Sequence, residues 1–163
     1  MTRWLNEDEQ RTWRAFLGAT RLVFEQLDRE LQHDSQMPHG YYEILVRLSE
    51  APDRALRMSA LADRSQSSRS RLSHAVARLE ENGWVRRESC PDDKRGQIAR
   101  LTDAGFAALE AAAPAHVEGV RTHVFDPLTA DQVRQLGEIS TALVTALQTG
   151  ACADAEPCVT EPA

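Results

Sequence analysis

Lysine is nearly missing from this chain. Lys94 is the only lysine among its nineteen basic residues, and the other eighteen are arginine. With the abundance of alanine, that points to a GC-rich, bacterial coding genome. Cysteine is scarce too. Cys90, Cys152 and Cys158 are an odd number, and the charged N-terminus MTRWLNEDEQ has no secretory apolar segment, so a disulfide framework is not expected. No apolar run reaches the roughly 18 residues of a membrane span. The expected location is the cytoplasm, with no membrane partner. The chain also lacks a phosphate-binding glycine loop, a G-x-S-x-G elbow, a metal triad and paired catalytic carboxylates. These absences argue against an enzyme, and no cofactor is expected.

What is present is ordinary globular material, 42% hydrophobic and 27% charged over 163 residues. That is enough for one domain with helical extensions. The net charge of −6 is unevenly spread. From Arg54 to Arg100 there are eleven basic and six acidic residues, a net of +5; the remaining eight basic and nineteen acidic residues give −11. A basic centre in an acidic chain suits a localised polyanion-binding surface. A solvated surface with uneven charge would show the same totals.

The apolar spacing predicts a helix from Asn6 to about Gln32, through Trp13, Phe16, Leu17, Thr20, Val23, Phe24, Leu27 and Leu31. Asn6 is its expected N-cap, with Glu7, Asp8 and Glu9 at the positive end of the dipole. It is long for a helix packed within a small monomer, so part of its stripe is expected on another chain. Pro38 is read as opening a second helix in its first turn. Arg54 to Met58 suggests a small strand. Ser59 is read as capping a brief helix over Ala60–Arg64. After a turn at Ser65-Gln66-Ser67, a further helix spans about Ser68–Asn82, stopped by Gly83. Two short helices joined by a polar turn form a helix-turn-helix.

Strands follow at Trp84–Glu88 and Gln97–Leu101, joined by the turn-forming run Pro91–Gly96. This hairpin reads as a wing. Thr102 is expected to cap a helix over Asp103–Phe125, kinked at Pro114. Thr129 to Gln132 is a capping box for a last helix, through Val133, Leu136, Ile139, Leu143, Val144 and Leu147. Gly150 is expected to end it. The fold class is therefore mainly α (α+β), with boundaries at 6–53 (N-terminal helices), 54–101 (winged helix-turn-helix), 102–150 (C-terminal helices) and 151–163 (a disordered tail).

On a helical wheel, Leu72, Ala75, Val76 and Leu79 share the buried side of the Ser68–Asn82 helix. Ser70, Ser73, His74 and Ala77 lie opposite, flanked by Arg69, Arg71 and Arg78. Small outward residues let a helix enter the major groove of B-DNA, where serine and arginine can bond base edges and phosphates. An amphipathic helix with a merely solvated face would look similar. The hairpin favours DNA, because Arg95 on a narrow ribbon can enter a minor groove, with Asp93 orienting its guanidinium. The candidate DNA-binding set is Ser67, Ser68, Arg69, Ser70, Arg71, Ser73, His74, Arg78, Asp93, Lys94 and Arg95.

The run LADRSQSSRSRLSHAVARLEENGWVRRESCPDDKRGQIARLTDAG resembles the central region of MarR-family transcriptional regulators. Their wing pattern D-x-R followed by L-T-x-x-G stands here as Asp93-Lys94-Arg95 and Leu101-Thr102-Asp103-Ala104-Gly105. The resemblance extends from about Asn6 to Gln148. It implies a homodimeric winged helix in which the first and the last two helices build the dimer domain. Ser68 to His74 would then lie on the recognition helix, and Arg95 on the wing. The implied partner is double-stranded DNA, read as a pseudo-palindrome with half-sites about one helical turn apart.

The resemblance also implies release of a repressor by a small, often aromatic ligand. Trp13, His39 and Tyr42 are candidate ligand-binding residues, with Phe16 and Tyr41 as further aromatic candidates. An alternative is a redox switch at Cys90, whose neighbours Arg86 and Arg87 would favour a thiolate. His33, His39, His116 and His123 show no compact metal motif, although His116 and His123 can share a helix face. A winged helix used only for protein contacts fits the basic centre less well.

Overall fold

The computed structural model describes residues 2–65, 67–90 and 93–153, and their side chains except at 93–95 and 149–153. The chain divides into a unit up to Val120 and a second unit from Arg121.

The first unit opens with α1, Glu7–Ser35. Asn6 caps it as expected, and the cap is reciprocal. The Asn6 side chain accepts from Glu9 N at 2.8 Å, and the Glu9 carboxylate accepts from Asn6 N at 2.8 Å. Two orphan donors of the first turn are thereby satisfied. The helix ends at Gln36, in the left-handed region at φ 51°. The chain then turns and buries Met37.

Pro38 is the N-cap of α2, His39–Ser49, rather than its first residue. After a 3-10 turn at Pro52–Arg54 come β1, Ala55–Arg57, and α3, Met58–Arg64. Ser59 does not cap α3, which starts one residue earlier. The start is set by β1, which is held in register with β3 through Leu56↔Ala99.

Helix α4 spans Arg69–Glu81 with Ser68 as N-cap. Gly83, at φ 72°, supplies the left-handed exit that favours glycine. Strand β2 is Val85–Cys90 and β3 is Asp93–Leu101, and the sheet order is β1-β3-β2. The expected turn at Pro91–Gly96 is thus shorter, since β3 already begins at Asp93, which pairs with Cys90 beyond a register shift.

Helix α5, Asp103–Val120, completes the unit and includes Pro114. Its start is tied to the end of the hairpin. Thr102 N donates to the Trp84 carbonyl at 3.0 Å. The Thr102 hydroxyl donates to the Gly83 carbonyl at 2.7 Å and accepts from Gly105 N at 3.0 Å. Gly105 is required by contact: a Cβ there would stand 2.1 Å from the Trp84 carbonyl oxygen. One core lies under all of this, with Leu45, Leu48, Leu61, Leu72, Val76, Leu79 and Ala99 fully enclosed.

In the second unit, Arg121–Phe125 is wound as a π-helix, where a continuation of α5 was expected. Asp126 N reaches back to the Arg121 carbonyl at 2.8 Å. The Thr129 capping box is present. Thr129 N donates to the Gln132 side chain at 2.9 Å, and Gln132 N to the Thr129 hydroxyl at 3.3 Å. Helix α6 runs Ala130–Ala153. It passes Gly150, so the predicted end and the first three residues of the predicted tail are helical. The rest of that tail, with Cys158, lies outside the described residues.

Candidate nucleic-acid interface

Helix α4 is anchored on one side and open on the other. Leu72, Val76 and Leu79 are buried. Ser68, Arg69, Ser70, Arg71, Ser73, His74 and Arg78 are exposed, and Ser67 is half-buried in the turn. The Ser68 hydroxyl oxygen accepts from Arg71 N at 3.3 Å. That oxygen is engaged in capping, which leaves its proton to donate outward.

The arginines of this region fall into two kinds. Arg69 and Arg71 have no ion-pair partner among the described residues. Arg78, predicted with them, is held at 2.7 Å by Glu81, so its charge is partly spent within the helix. Along the sheet the arginines are engaged. Glu80, near the end of α4, accepts from Arg87 N at 2.8 Å and from Arg87 Nε at 2.6 Å. On β2 and β3, Arg86 and Arg100 stand opposite each other. Glu88 offsets their repulsion, 2.7 Å from Arg86 and 3.1 Å from Arg100. Its carboxyl is held below the usual range, first by the Arg100 hydrogen bond. Arg100 also donates to the Asp53 carbonyl at 2.7 Å.

The wing candidates Asp93, Lys94 and Arg95 lie on β3 by their backbone. Their side chains, and the proposed pairing of Asp93 with Arg95, lie outside the described residues.

The aromatic candidates separate. Trp13 stacks on Phe16, ring centroids 6.1 Å apart, and is half exposed. At ~1.5 Å per residue it stands roughly 16 Å along α1 from Phe24. His39 and Tyr42 instead meet around His116 of α5. The His39 and His116 rings are 5.5 Å apart, Tyr42 and His116 4.4 Å, and Phe24 meets His39 edge-on at 5.5 Å. The His116 Nδ1 atom is buried without a hydrogen-bond partner. Burial lowers the His116 pKa, the neighbouring His39 lowers it further, and Glu30 opposes both. Burial raises that of Tyr42.

In sequence, His116 stands out only as a possible metal partner of His123, seven residues on. No group of three metal-ligating side chains occurs among the described residues. Tyr41 faces α4 instead, across an open groove with Arg71, His74 and Arg78.

Cys90 does not fit a redox switch. It is 5% exposed, and Arg86 and Arg87 are taken by Glu88 and Glu80. A buried thiol whose two neighbouring arginines are engaged elsewhere lacks the support that the redox reading calls on. No helix among the described residues is long and apolar enough to cross a membrane.

Comparison with known proteins supplies an independent finding. The MarR family profile matches residues 38–96. The transcriptional regulator HosA of Escherichia coli O111:H- is 32% identical over 95 residues, 58% of this chain and 69% of its own length. Among solved structures, Sco3205, a MarR family transcriptional regulator from Streptomyces coelicolor in complex with DNA, is 55% identical with a TM-score of 0.87. That match covers 91% of this chain and 92% of the other. AbsC, a MarR family transcriptional regulator from the same organism, is 40% identical with a TM-score of 0.84, over 91% of this chain and 99% of its own.

Proposed function

The chain belongs to the MarR family of transcriptional regulators, and from that premise we propose that it is a homodimeric, sequence-specific DNA-binding repressor released by a small ligand. The observation that carries the DNA reading is the outward face of α4. It presents small hydroxyl side chains and two arginines, Arg69 and Arg71, that no carboxylate of the described chain engages. Such a face lets the helix lie close to base edges, while the guanidiniums take guanine or phosphate. The hairpin beside it carries Lys94 and Arg95 toward a neighbouring minor groove. The DNA complex of Sco3205 supports the same reading.

The dimer reading rests on apolar surface that each unit leaves in solvent. On α1, Trp13, Phe16, Leu17 and Phe24 are each about half exposed, and on α6 Ile139, Leu143 and Leu147 are likewise open. An apolar stripe left open on a helix marks an interaction site. Two lobes related by a two-fold axis would place their α4 helices about one turn of DNA apart.

The ligand reading centres on Phe24, His39, Tyr42 and His116, where rings from α1, α2 and α5 meet. An aromatic ligand inserted there would part α5 from α2, which packs on the DNA-binding lobe. Trp13 is left out of that seat by its distance. Release then follows if the ligand favours a dimer whose α4 separation no longer fits the operator.

The test is fluorescence anisotropy with a duplex selected by the protein from a random pool, against a scrambled duplex at fixed salt. A preference of roughly a thousandfold or more is expected, the low end of the range for specific binding. Equal affinity for both duplexes would sink the sequence-specific reading.

A further inference from the structure

One concave surface joins Arg69 and Ser73 of α4's outer face to residues of β1, α3 and β3 that have had no role so far. A cleft of about 390 Å3 lies between the β1–α3 junction, α4 and β3, lined by Arg57, Ser59, Arg69, Ser73 and Gln97. All five are exposed, and no carboxylate lines the cleft. Arg57, like Arg69, has no ion-pair partner among the described residues.

We propose that this cleft seats the sugar–phosphate strand that divides the major groove from the adjacent minor groove, with Arg57 donating to one of its phosphates. The inference rests on the DNA-binding reading and adds a contact that reading does not contain. Neighbouring grooves of a duplex are separated by one backbone strand. A protein that puts α4 in one groove and the β2–β3 hairpin in the next must straddle that strand. The cleft is the space between those two elements.

The chemistry agrees. Two unpaired guanidiniums, two hydroxyls and an amide are donors suited to phosphate oxygens. The first turn of α4 adds backbone donors at the positive end of its dipole. A second arginine-lined hollow, of about 340 Å3 at Arg54, Arg86 and Arg100, makes the contrast. Asp53 and Asp103 line it too. There Arg54 is 3.5 Å from Asp103 and Arg100 3.1 Å from Glu88. Its cations are engaged and its carboxylates would repel a phosphate.

Arg57 is exposed at the end of a short strand, so replacing it leaves the core intact. The experiment compares wild type, Arg57→Ala and Arg57→Lys on the selected and the scrambled duplex across a salt series. A phosphate contact predicts roughly tenfold weaker binding to both duplexes in Arg57→Ala. It also predicts a log K versus log salt slope smaller by about two, one for each protomer of the dimer, and a slope kept in Arg57→Lys. A single neutral methylphosphonate, scanned along the selected duplex, should weaken wild type at one position in each half-site where Arg57→Ala loses nothing more.

If wild type prefers the selected duplex while Arg57→Ala matches it in affinity and slope, the seat is wrong and the DNA reading stands. If Arg57→Ala loses the selected duplex only, Arg57 reads bases and the phosphate assignment is overturned. If wild type binds neither duplex, both readings fall together.

Discussion

Two sets of arginines sit within one small lobe, and they are used differently. Arg86, Arg87 and Arg100 on the sheet are each within ion-pair distance of a glutamate. Arg57, Arg69 and Arg71, on the edge of β1 and the outer face of α4, have no such partner among the described residues. The sheet arginines hold the hairpin to α4 and to the turn before β1. The outer ones are left with their full charge for an external anion. The local net of +5 therefore does not show where the charge is available: among the described side chains, the unengaged arginines lie on the β1 edge and the outer face of α4, while those along the hairpin base are paired.

The comparison can be broken from the holding side first. Gly105→Ala would drive a methyl group into the Trp84 carbonyl. A loss of about 3 kcal/mol is expected in chemical denaturation, and a wild-type midpoint would mean the joint yields more easily than its contacts suggest. Glu80→Ala leaves the half-buried Arg87 without its carboxylate, which should lower unfolding free energy by about 1.5–3 kcal/mol. DNA affinity, measured well below the melting temperature, should change less than in the outer arginine variants.

Arg71→Ala is the mirror case. Affinity for the selected duplex should fall by roughly tenfold or more, while the thermal midpoint stays within a degree or so of wild type. A Tm loss matching that of Glu80→Ala would erase the distinction between the two sets. Arg86→Ala should do little in either assay, because Arg86 is mostly exposed and Glu88 keeps its pairing with Arg100.

The smallest effect is one of pH. The pKa of His116 is lower in the folded chain than its ordinary value of 6.5. Above pH 6.5 it is neutral in both states and stability is unaffected. Below that, the unfolded chain takes the proton first, and stability falls as pH drops toward the folded pKa. His116→Gln should flatten this fall in a pH series of thermal melts.

Much of the fold was legible because its signals are local. The 3.6-residue apolar spacing, the Asn6 and Thr129 caps and the Gly83 stop each act within a few residues. The start of α3 was misread because it is fixed by β1 pairing with β3, more than forty residues away in sequence. Gly150 was misread as a stop because glycine weakens a helix by only about 1 kcal/mol and does not by itself end one. The outer face of α4 was legible from the wheel, but the state of each arginine was not. Glu80 meets Arg87 only because the chain reverses at Gly83, and Arg100 reaches the Asp53 carbonyl across the sheet. His116 was missed for the same reason, since no spacing rule joins α5 to α2.

The Thr102 joint has a mechanical meaning. Strand β3 ends at Leu101 and α5 begins at Asp103, so only one residue lies between them. That residue is bonded to Gly83, Trp84 and Gly105. Such a connection has no slack. The first turn of α5 therefore cannot move without carrying the hairpin and the end of α4 with it, as a crankshaft carries a keyed wheel. The ring cluster at His116 lies on that shaft, about four turns of helix from the key, where a small sideways push has a long lever.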